Sequence, residues 1–344
     1  MITLRDARAV HIDAPESLRT AAFEPCAPGP GEALVEVAWA GICGSDREVL
    51  AGTRPKDLVR YPLIPGHEWS GTVVAVGAPS DASLVGRSVV GEGFHSCGRC
   101  AACSRGDSNL CHAEYRETGF TEPGAWATYL TVPARLLHVL PEGSDLRAAA
   151  ALEPAACVAA ACMKAAAFAG ERVAVVGAGT LGLLATQLLR ASEPSTLIVI
   201  DPRRDRVELA RRCGASECLS PEEAQRRAGQ FDVVLEAAGA ADTARQAMLL
   251  ARRGGRVVLT GIPSASIGAV HALSPTELVV REITVHTVFG APSRAWSHAV
   301  RAFASGVLDP SPIITHEVPL DDVSEAFRIL TDPNSRAVKV LLRP

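Results

Sequence analysis

The spacing of hydrophobic positions changes along the chain and divides it into two kinds of sequence. Up to about residue 150, short apolar stretches alternate with polar residues or end at turns. Residues 32–39, for example, alternate with a period of two after the Pro- and Gly-rich turn at 28–31. Residues 71–76 and 87–90 have the composition of further strands. We therefore expect this part of the chain to form a β-rich, partly barrel-like domain.

After Gly170 the pattern becomes one of buried strands that alternate with amphipathic helices. Continuous runs of Val, Ile and Leu with helical crossovers are typical of a parallel sheet covered on both faces. The expected fold class is α/β, with a β-rich domain followed by a doubly wound domain. The predicted strands are residues 173–176, 197–200, 231–237, 256–259 and 283–288, and the predicted helices are about 181–190 and 204–213.

Two further segments set the expected domain limits. An alanine-rich stretch from 148 to 169 predicts a helix with a local break near Pro154. From about residue 293 the alternation of strands and helices is lost, so we expect the chain to return to the first domain. The predicted domains are residues 1–150 together with 293–344, and residues 151–292.

Composition argues against several classes of partner. The 344 residues carry 34 basic and 38 acidic side chains, a formal charge of −4 without a basic block, which disfavours nucleic acid and anionic membranes. No apolar run of about 18 residues is present to span a membrane. Polar residues such as Asp6 and Arg8 interrupt the N-terminus, so we expect no secretion signal. Ten cysteines without such a signal predict reduced thiols in a cytoplasmic protein.

The densest chemical signal is a group of four cysteines. Their spacing, C-x2-C-x2-C-x7-C, allows four thiolates to close a tetrahedral shell around one Zn²⁺, which is typical of a structural site. A lobe linked by disulfides is the alternative, and a reducing compartment disfavours it. The cysteines are Cys97, Cys100, Cys103 and Cys111, in a lobe expected at about residues 93–113.

A glycine-rich loop follows the strand predicted at 173–176. Residues 177–182 read G-A-G-T-L-G and open a predicted helix, and Asp201 stands 19 positions after Gly182. This pattern is typical of a dinucleotide-binding unit, in which the glycines permit a tight turn, close approach of the pyrophosphate and close packing of helix and strand. The candidate cofactor-binding residues are Gly177, Gly179, Thr180, Leu181, Gly182, Asp201, Arg203 and Arg206.

The residues after this unit bear on the choice of cofactor. Asp201 favours NAD over NADP, because a carboxylate that binds the ribose hydroxyls would repel a 2′-phosphate. Arg203 and Arg204 keep NADP as the minority alternative, since a guanidinium could bind that phosphate.

Two motifs upstream complete the pattern: residues 41–46, G-I-C-G-S-D, and residues 66–71, G-H-E-W-S-G. Alone, a cysteine is usually a small core residue and a histidine a hydrogen-bonded structural one. Together with P-G-P-G-E at 28–32, the cysteine group, the glycine loop with Asp201 and the closing K-V-L-L-R-P, they are specific. The chain resembles the zinc-dependent medium-chain alcohol and polyol dehydrogenases over essentially its whole length.

Within that family the chain looks most like the sorbitol and threonine dehydrogenase branch, and G-H-E-W-S-G also resembles aminocyclitol dehydrogenases. The resemblance implies a GroES-like catalytic domain, a Rossmann domain, and hydride transfer between NAD and a secondary alcohol. We expect a polyol, cyclitol or aminocyclitol as substrate. Threonine 3-dehydrogenase-like activity, a zinc-free reductase and a non-catalytic protein that binds zinc and NAD are the alternatives. The family also implies a homodimer or homotetramer.

The resemblance further implies that Cys43 and His67 hold a catalytic Zn²⁺, giving two zinc ions per chain. A catalytic zinc takes three protein ligands and keeps one position open. Glu68, Glu153 or water completes the shell, whereas Cys157 does not match the usual ligand position.

Three more residues receive catalytic roles from the resemblance. Asp46 would orient His67, and Ser45 would accept or relay the proton that leaves the alcohol. Many family members carry a histidine five residues after the ligand cysteine, but this chain has Glu48. That carboxylate would relay protons, bind a cationic or hydroxylated substrate, or face water.

Overall fold

The computed structural model describes residues 7–263, 274–332 and 334–344, and they fall into two compact units. The first contains the described residues up to Glu153 together with Pro292–Val300 and Ile314–Pro344, and the second contains Pro154–Ala291 and Arg301–Ile313. The limits predicted from the sequence place residues 301–313 with the first domain instead. No described helix is both long and apolar enough to cross a bilayer.

The described part of the chain contains both strands and helices. The strands are β1 (Arg8–Ile12), β2 (Leu18–Ala22), β3 (Glu32–Gly41), β4 (Trp69–Val76), β5 (Ser88–Gly91), β6 (Tyr129–Pro133), β7 (Leu137–Val139), β8 (Arg172–Val176), β9 (Thr196–Ile200), β10 (Glu217–Leu219), β11 (Phe231–Glu236), β12 (Ala251–Leu259), β13 (Thr284–Thr287), β14 (Ile314–Pro319) and β15 (Lys339–Arg343). The helices are α1 (Gly44–Ala51), α2 (Ala101–Ser104), α3 (Leu146–Ala149), α4 (Leu152–Ala165), α5 (Thr180–Arg190), α6 (Val207–Arg212), α7 (Pro221–Gln225), α8 (Thr243–Leu250), α9 (Pro275–Arg281), α10 (Ser293–Ala304) and α11 (Val323–Thr331).

The second unit contains a six-stranded sheet in the order β10-β9-β8-β11-β12-β13, and every neighbouring pair is parallel. The strand order reverses between β8 and β11, so this is a doubly wound sheet with a switch point beside its first strand. Ligands of such sheets bind outside the carboxyl ends of the strands at that point. The predicted α/β fold class is confirmed.

The first unit is built on a sheet in the order β14-β15-β3-β4-β5-β7, with β6 paired to β3. Its core lies between these strands and includes the fully buried Val35, Val89 and Trp126. Gly41 pairs with Leu341, and Ala40 pairs with Trp69, so the end of β3 meets the beginnings of β4 and β15. This register brings three segments that are distant in sequence to one end of the sheet.

The break expected near Pro154 is present and lies just before that residue, since α3 ends at Ala149 and α4 begins at Leu152. Helix α4 begins at Leu152 and continues through Pro154 to Ala165. Proline is tolerated there because it lies in the first turn of the helix, where its missing N–H has no partner within the helix to lose.

Candidate active site

Cys43, His67 and Glu68 converge at that end of the first sheet. Cys43 follows β3 and caps α1, whereas His67 and Glu68 directly precede β4. The cysteine sulfur, a histidine ring nitrogen and a carboxylate oxygen all lie within 4.8 Å of one another. His67 and Glu68 are buried and Cys43 is half-buried. The group therefore offers three metal-ligand atoms of the types that zinc prefers.

Asp46 organises this group from the first turn of α1. One of its oxygens accepts a hydrogen bond from the backbone N–H of Cys43 at 2.7 Å. The other lies 3.5 Å from Nδ1 of His67, and both of these atoms are buried without a hydrogen-bond partner among the described residues. Burial alone would lower the pKa of His67, but Asp46 and Cys43 outweigh it and raise that pKa well above its ordinary value. The site thus attracts positive charge, as a site for a divalent cation must.

Ser45 and Glu48 lie on α1, close to Cys43 in sequence, and both are half-buried. The backbone carbonyl of Glu48 accepts the N–H of Thr53, which ends this helix. Their proton-transfer roles stay predictions.

Glu153 lies in the first turn of α4 and does not join the three-donor group within the described residues. Glu68 does, and its carboxylate also accepts hydrogen bonds from Lys339. Of the two glutamates considered as third ligand, Glu68 is the one whose oxygen lies near Cys43 and His67.

Sequence reasoning missed the charged and aromatic groups around these residues. The Phe120 ring lies 4.7 Å from the His67 ring, and the guanidinium of Arg54 lies 3.7 Å from the centre of the Phe120 ring. Arg54 also lies 3.7 Å from Glu117, whose pKa is raised by burial. Of these groups, only Lys339 could have been singled out from the sequence. The chain contains only three lysines among its 34 basic residues, and one of them begins the closing motif.

The four-cysteine group forms a second candidate metal site. All four sulfurs lie within 4.8 Å of one another, and those of Cys100 and Cys103 are 3.5 Å apart. Each cysteine is a free thiol. Hydrogen bonds from the backbone N–H groups of His112 and Cys103 lower the pKa of Cys100 to about 5, which favours the thiolate that a metal requires. Four sulfurs at these separations fit one tetrahedral zinc.

The glycine loop joins β8 to α5 in the second unit. Gly177 has φ +103, and a Cβ there would lie 3.0 Å from Ala238. A Cβ at Gly182 would lie 1.8 Å from the carbonyl oxygen of Gly177, whereas a Cβ at Gly179 would meet nothing within 4 Å. Packing within the protein therefore explains two of the glycines. The third leaves free space at the N-terminus of α5, as close approach of a pyrophosphate needs.

Asp201 lies at the end of β9 with its carboxylate already engaged. It accepts hydrogen bonds from the backbone N–H of Ala178 at 2.7 Å and from that of Arg203 at 2.9 Å. The guanidinium of Arg203 also donates to it, at 2.9 and 3.1 Å. Burial would raise the pKa of Asp201, but these donors lower it below its ordinary value. Arg206 is buried and lies 3.7 Å from Asp205. A cofactor ribose would meet a carboxylate that Arg203 partly neutralises.

Two family models match this chain. The model of the alcohol dehydrogenase GroES-like domain matches residues 29–142, and that of the zinc-binding dehydrogenase matches residues 180–305. An L-threonine 3-dehydrogenase of Saccharopolyspora erythraea is 32% identical over 326 residues, which covers 92% of each chain. The chain belongs to the zinc-dependent medium-chain alcohol dehydrogenase family.

Solved structures of other dehydrogenases have the same fold. A zinc-binding dehydrogenase of Sinorhizobium meliloti 1021 bound to NADP is 31% identical, with a TM-score of 0.90 over 98% of this chain and 99% of that one. Galactitol-1-phosphate dehydrogenase of Escherichia coli is 26% identical, with a TM-score of 0.86 over 98% of this chain and 100% of that one. This alcohol dehydrogenase is accordingly an oxidoreductase that acts on CH–OH groups, as the sequence predicted, with a GroES-like domain and a Rossmann-type domain.

Proposed function

We propose that this dehydrogenase uses zinc and NAD to oxidise a secondary alcohol of a polyol, cyclitol or aminocyclitol, or reduces the corresponding ketone. The observation that carries the proposal is the convergence of Cys43, His67 and Glu68, with donor atoms within 4.8 Å of one another and Cys43 only half-buried. Three protein ligands with one accessible side are the arrangement of a catalytic zinc rather than a structural one.

The residues around the site would divide the chemistry among them. Zinc held by Cys43, His67 and Glu68 would act as a Lewis acid that lowers the pKa of the substrate hydroxyl. Ser45 would accept the hydroxyl proton and pass it to Glu48 or to water. Asp46, which lies 3.5 Å from Nδ1 of His67, would fix the ring so that its other nitrogen faces the metal. The substrate carbon would then lose its hydride to the nicotinamide.

The same proposal includes a second zinc and the cofactor. Cys97, Cys100, Cys103 and Cys111 would hold a structural zinc. NAD is preferred over NADP because Asp201 would bind the ribose hydroxyls. Arg203 weakens that preference, since it neutralises part of the Asp201 charge and could bind a 2′-phosphate.

A second candidate is oxidation of a hydroxyamino acid by a threonine 3-dehydrogenase-like reaction. The similarity to an enzyme of that name in Saccharopolyspora erythraea favours it. Glu48 would then pair with the ammonium group of the substrate, which would also suit an aminocyclitol.

The proposal extends to the setting of the enzyme. Free thiols in both metal groups suit a reducing compartment, so we place the enzyme in the cytoplasm. Its partners would be small-molecule alcohols and ketones rather than nucleic acid or membranes, and we propose a homodimer or homotetramer.

The test is zinc content per chain, measured together with reduction of NAD⁺ and NADP⁺ on polyols, cyclitols, aminocyclitols and threonine. Wild type should contain two zinc ions and turn over one substrate class, and Cys43→Ala should lose one zinc and all turnover. Turnover on threonine alone would move the assignment to the second candidate. A single zinc that survives Cys43→Ala, with no turnover, would replace both candidates by a non-catalytic binding protein.

A further inference from the structure

Lys339 is buried with its ammonium group against the carboxylate of Glu68. Its Nζ lies 2.6 and 2.8 Å from the two carboxylate oxygens and donates a third hydrogen bond, of 3.1 Å, to the carbonyl of Ile42. The two side chains are 3% and 1% exposed. An ammonium group has three protons, so every donor of Lys339 has an acceptor.

The pairing of β15 places this lysine beside the metal site. Lys339 is the first residue of β15, and the N–H of Ile42 donates to the carbonyl of Val340 at 3.1 Å. Ile42 directly precedes Cys43, so the backbone that carries the cysteine and the strand that carries the lysine are hydrogen-bonded to each other. The position of Nζ is therefore fixed relative to Cys43 as well as to Glu68.

Gly41 confines the same carboxylate from another side. A Cβ at this position would lie 2.0 Å from Oε2 of Glu68 and 2.9 Å from its Cβ. The φ of Gly41 is not in the left-handed region, so glycine is needed here for space rather than for backbone conformation. A lysine that binds both oxygens and a glycine that leaves room for one of them together define a single position for the Glu68 carboxylate.

The buried Glu68 carboxylate needs a positively charged partner because other anionic groups surround it. Cys43, Asp46 and Glu68 bring three groups that are anionic or become so on metal binding into one buried region, and like charges repel strongly where water is excluded. Lys339 offsets the charge of Glu68 but leaves lone pairs of the carboxylate free. Each carboxylate oxygen can accept a hydrogen bond and still donate a lone pair to a metal. A neutral residue at 339 would leave Glu68 as an unpaired buried anion.

We propose that Lys339 is a positioning residue for the catalytic metal, which holds the Glu68 carboxylate in place as the third protein ligand beside Cys43 and His67. This inference rests on the proposed function, because it presupposes a metal at that site. It adds to that function a residue that keeps Glu68 in its place as ligand.

The test replaces the catalytic metal by Co²⁺ in the full-length protein and records the ligand-field and thiolate charge-transfer absorption, which respond to ligand number and type. Subtracting the spectrum of Cys43→Ala removes the contribution of the four-cysteine site. Zinc affinity is measured in parallel by competition with a chelator. Lys339→Met should alter the Co²⁺ spectrum and weaken zinc binding at this site about 10- to 100-fold, the range found when a residue that supports a metal ligand is lost.

Two further variants show whether Lys339 acts through Glu68. Glu68→Gln should change the spectrum, and the double variant Lys339→Met with Glu68→Gln should match Glu68→Gln alone, because the lysine has no ligand left to position. Lys164→Met is the matched control: Lys164 donates to the carbonyl of Thr287 in the other unit and should leave spectrum and affinity unchanged. If Lys339→Met does not fold, Lys339→Gln, which keeps two N–H donors, should show a smaller shift in the same direction.

A purely structural ion pair would give a different result. The inference is overturned if Lys339→Met or Lys339→Gln lowers the melting temperature but keeps the wild-type Co²⁺ spectrum and zinc affinity. It is equally overturned if the effects of the two single changes add in the double variant. Failure of the proposed function looks different again, since wild type and Cys43→Ala would then bind the same amount of Co²⁺.

Discussion

The two candidate metal sites lie in the same unit but are assembled in opposite ways. The four-cysteine site takes all its ligands from residues 97–111, and backbone N–H groups of the same loop, such as that of Cys97 on Cys111, support its sulfurs. The other site takes Cys43 from one end of β3, His67 and Glu68 from the start of β4, and the supporting Lys339 from β15. A site built from one loop depends on local geometry, whereas one built from three segments depends on the register of the sheet.

Besides Cys43→Ala, the largest effect on turnover should come from His67→Ala. Loss of a ligand would remove the Lewis acid at this site, which supplies several kcal/mol of stabilisation, so turnover should fall by about 1,000-fold or more. Zinc analysis should show one zinc lost per chain, with the four-cysteine site still occupied. Loss of both zinc ions would mean that the two sites are coupled and the comparison fails.

Gly41→Ala should come next, because a Cβ would lie 2.0 Å from the Glu68 carboxylate. Displacing that group by about 1 Å should lower turnover by about 100-fold. Gly44→Ala is the control, since its Cβ would meet only the end of Arg47, at 3.9 Å. Kinetics and zinc content of the two variants should therefore diverge, and equal losses would show that the space around Gly41 has no special role.

Asp46→Asn should have a smaller effect. The amide can keep the hydrogen bond to the N–H of Cys43 but removes the charge that faces His67. We expect turnover and zinc affinity at this site to fall about 10- to 100-fold, as for other residues that orient a metal ligand. A variant with wild-type affinity would mean that Asp46 acts only as the cap of α1.

The smallest effect on turnover should come from Cys103→Ser, which removes a ligand from the four-cysteine site rather than from the catalytic one. The lobe is tied to α10 by Ser108 and Ser293, whose side chains are 3.1 Å apart, and by Arg294 and Asp107, 2.9 Å apart. Loss of its zinc should lower the melting temperature by roughly 5 °C or more. Turnover per folded molecule at 25 °C should change less than about tenfold, which steady-state assays below the transition can verify. A loss as large as that of His67→Ala would assign this zinc a catalytic role.

The same contrast explains what the sequence could predict. The cysteine spacing and the glycine loop are local patterns that the sequence shows directly. The strand predicted at 173–176 differs from β8 only by Arg172, because the four buried positions of β8 are the apolar run itself. The contact between Lys339 and Glu68 spans 271 positions and depends on how β15 pairs with β3, which no local pattern records. The break expected near Pro154 lies at Ala150 and Ala151, because a proline is tolerated in the first turn of a helix and the break falls before that turn.

The separation between Glu68 and Lys339 also sets an order of events during synthesis. The ribosome adds the 271 positions between them at roughly 5–20 residues per second, so the lysine follows the glutamate by roughly 14–54 seconds. The four cysteines emerge together within 15 positions and can capture zinc while translation continues. The nascent chain therefore has one metal site that can bind zinc early. In the other site, Glu68 has no counter-ion until Lys339 is added, when almost the whole protein has been made.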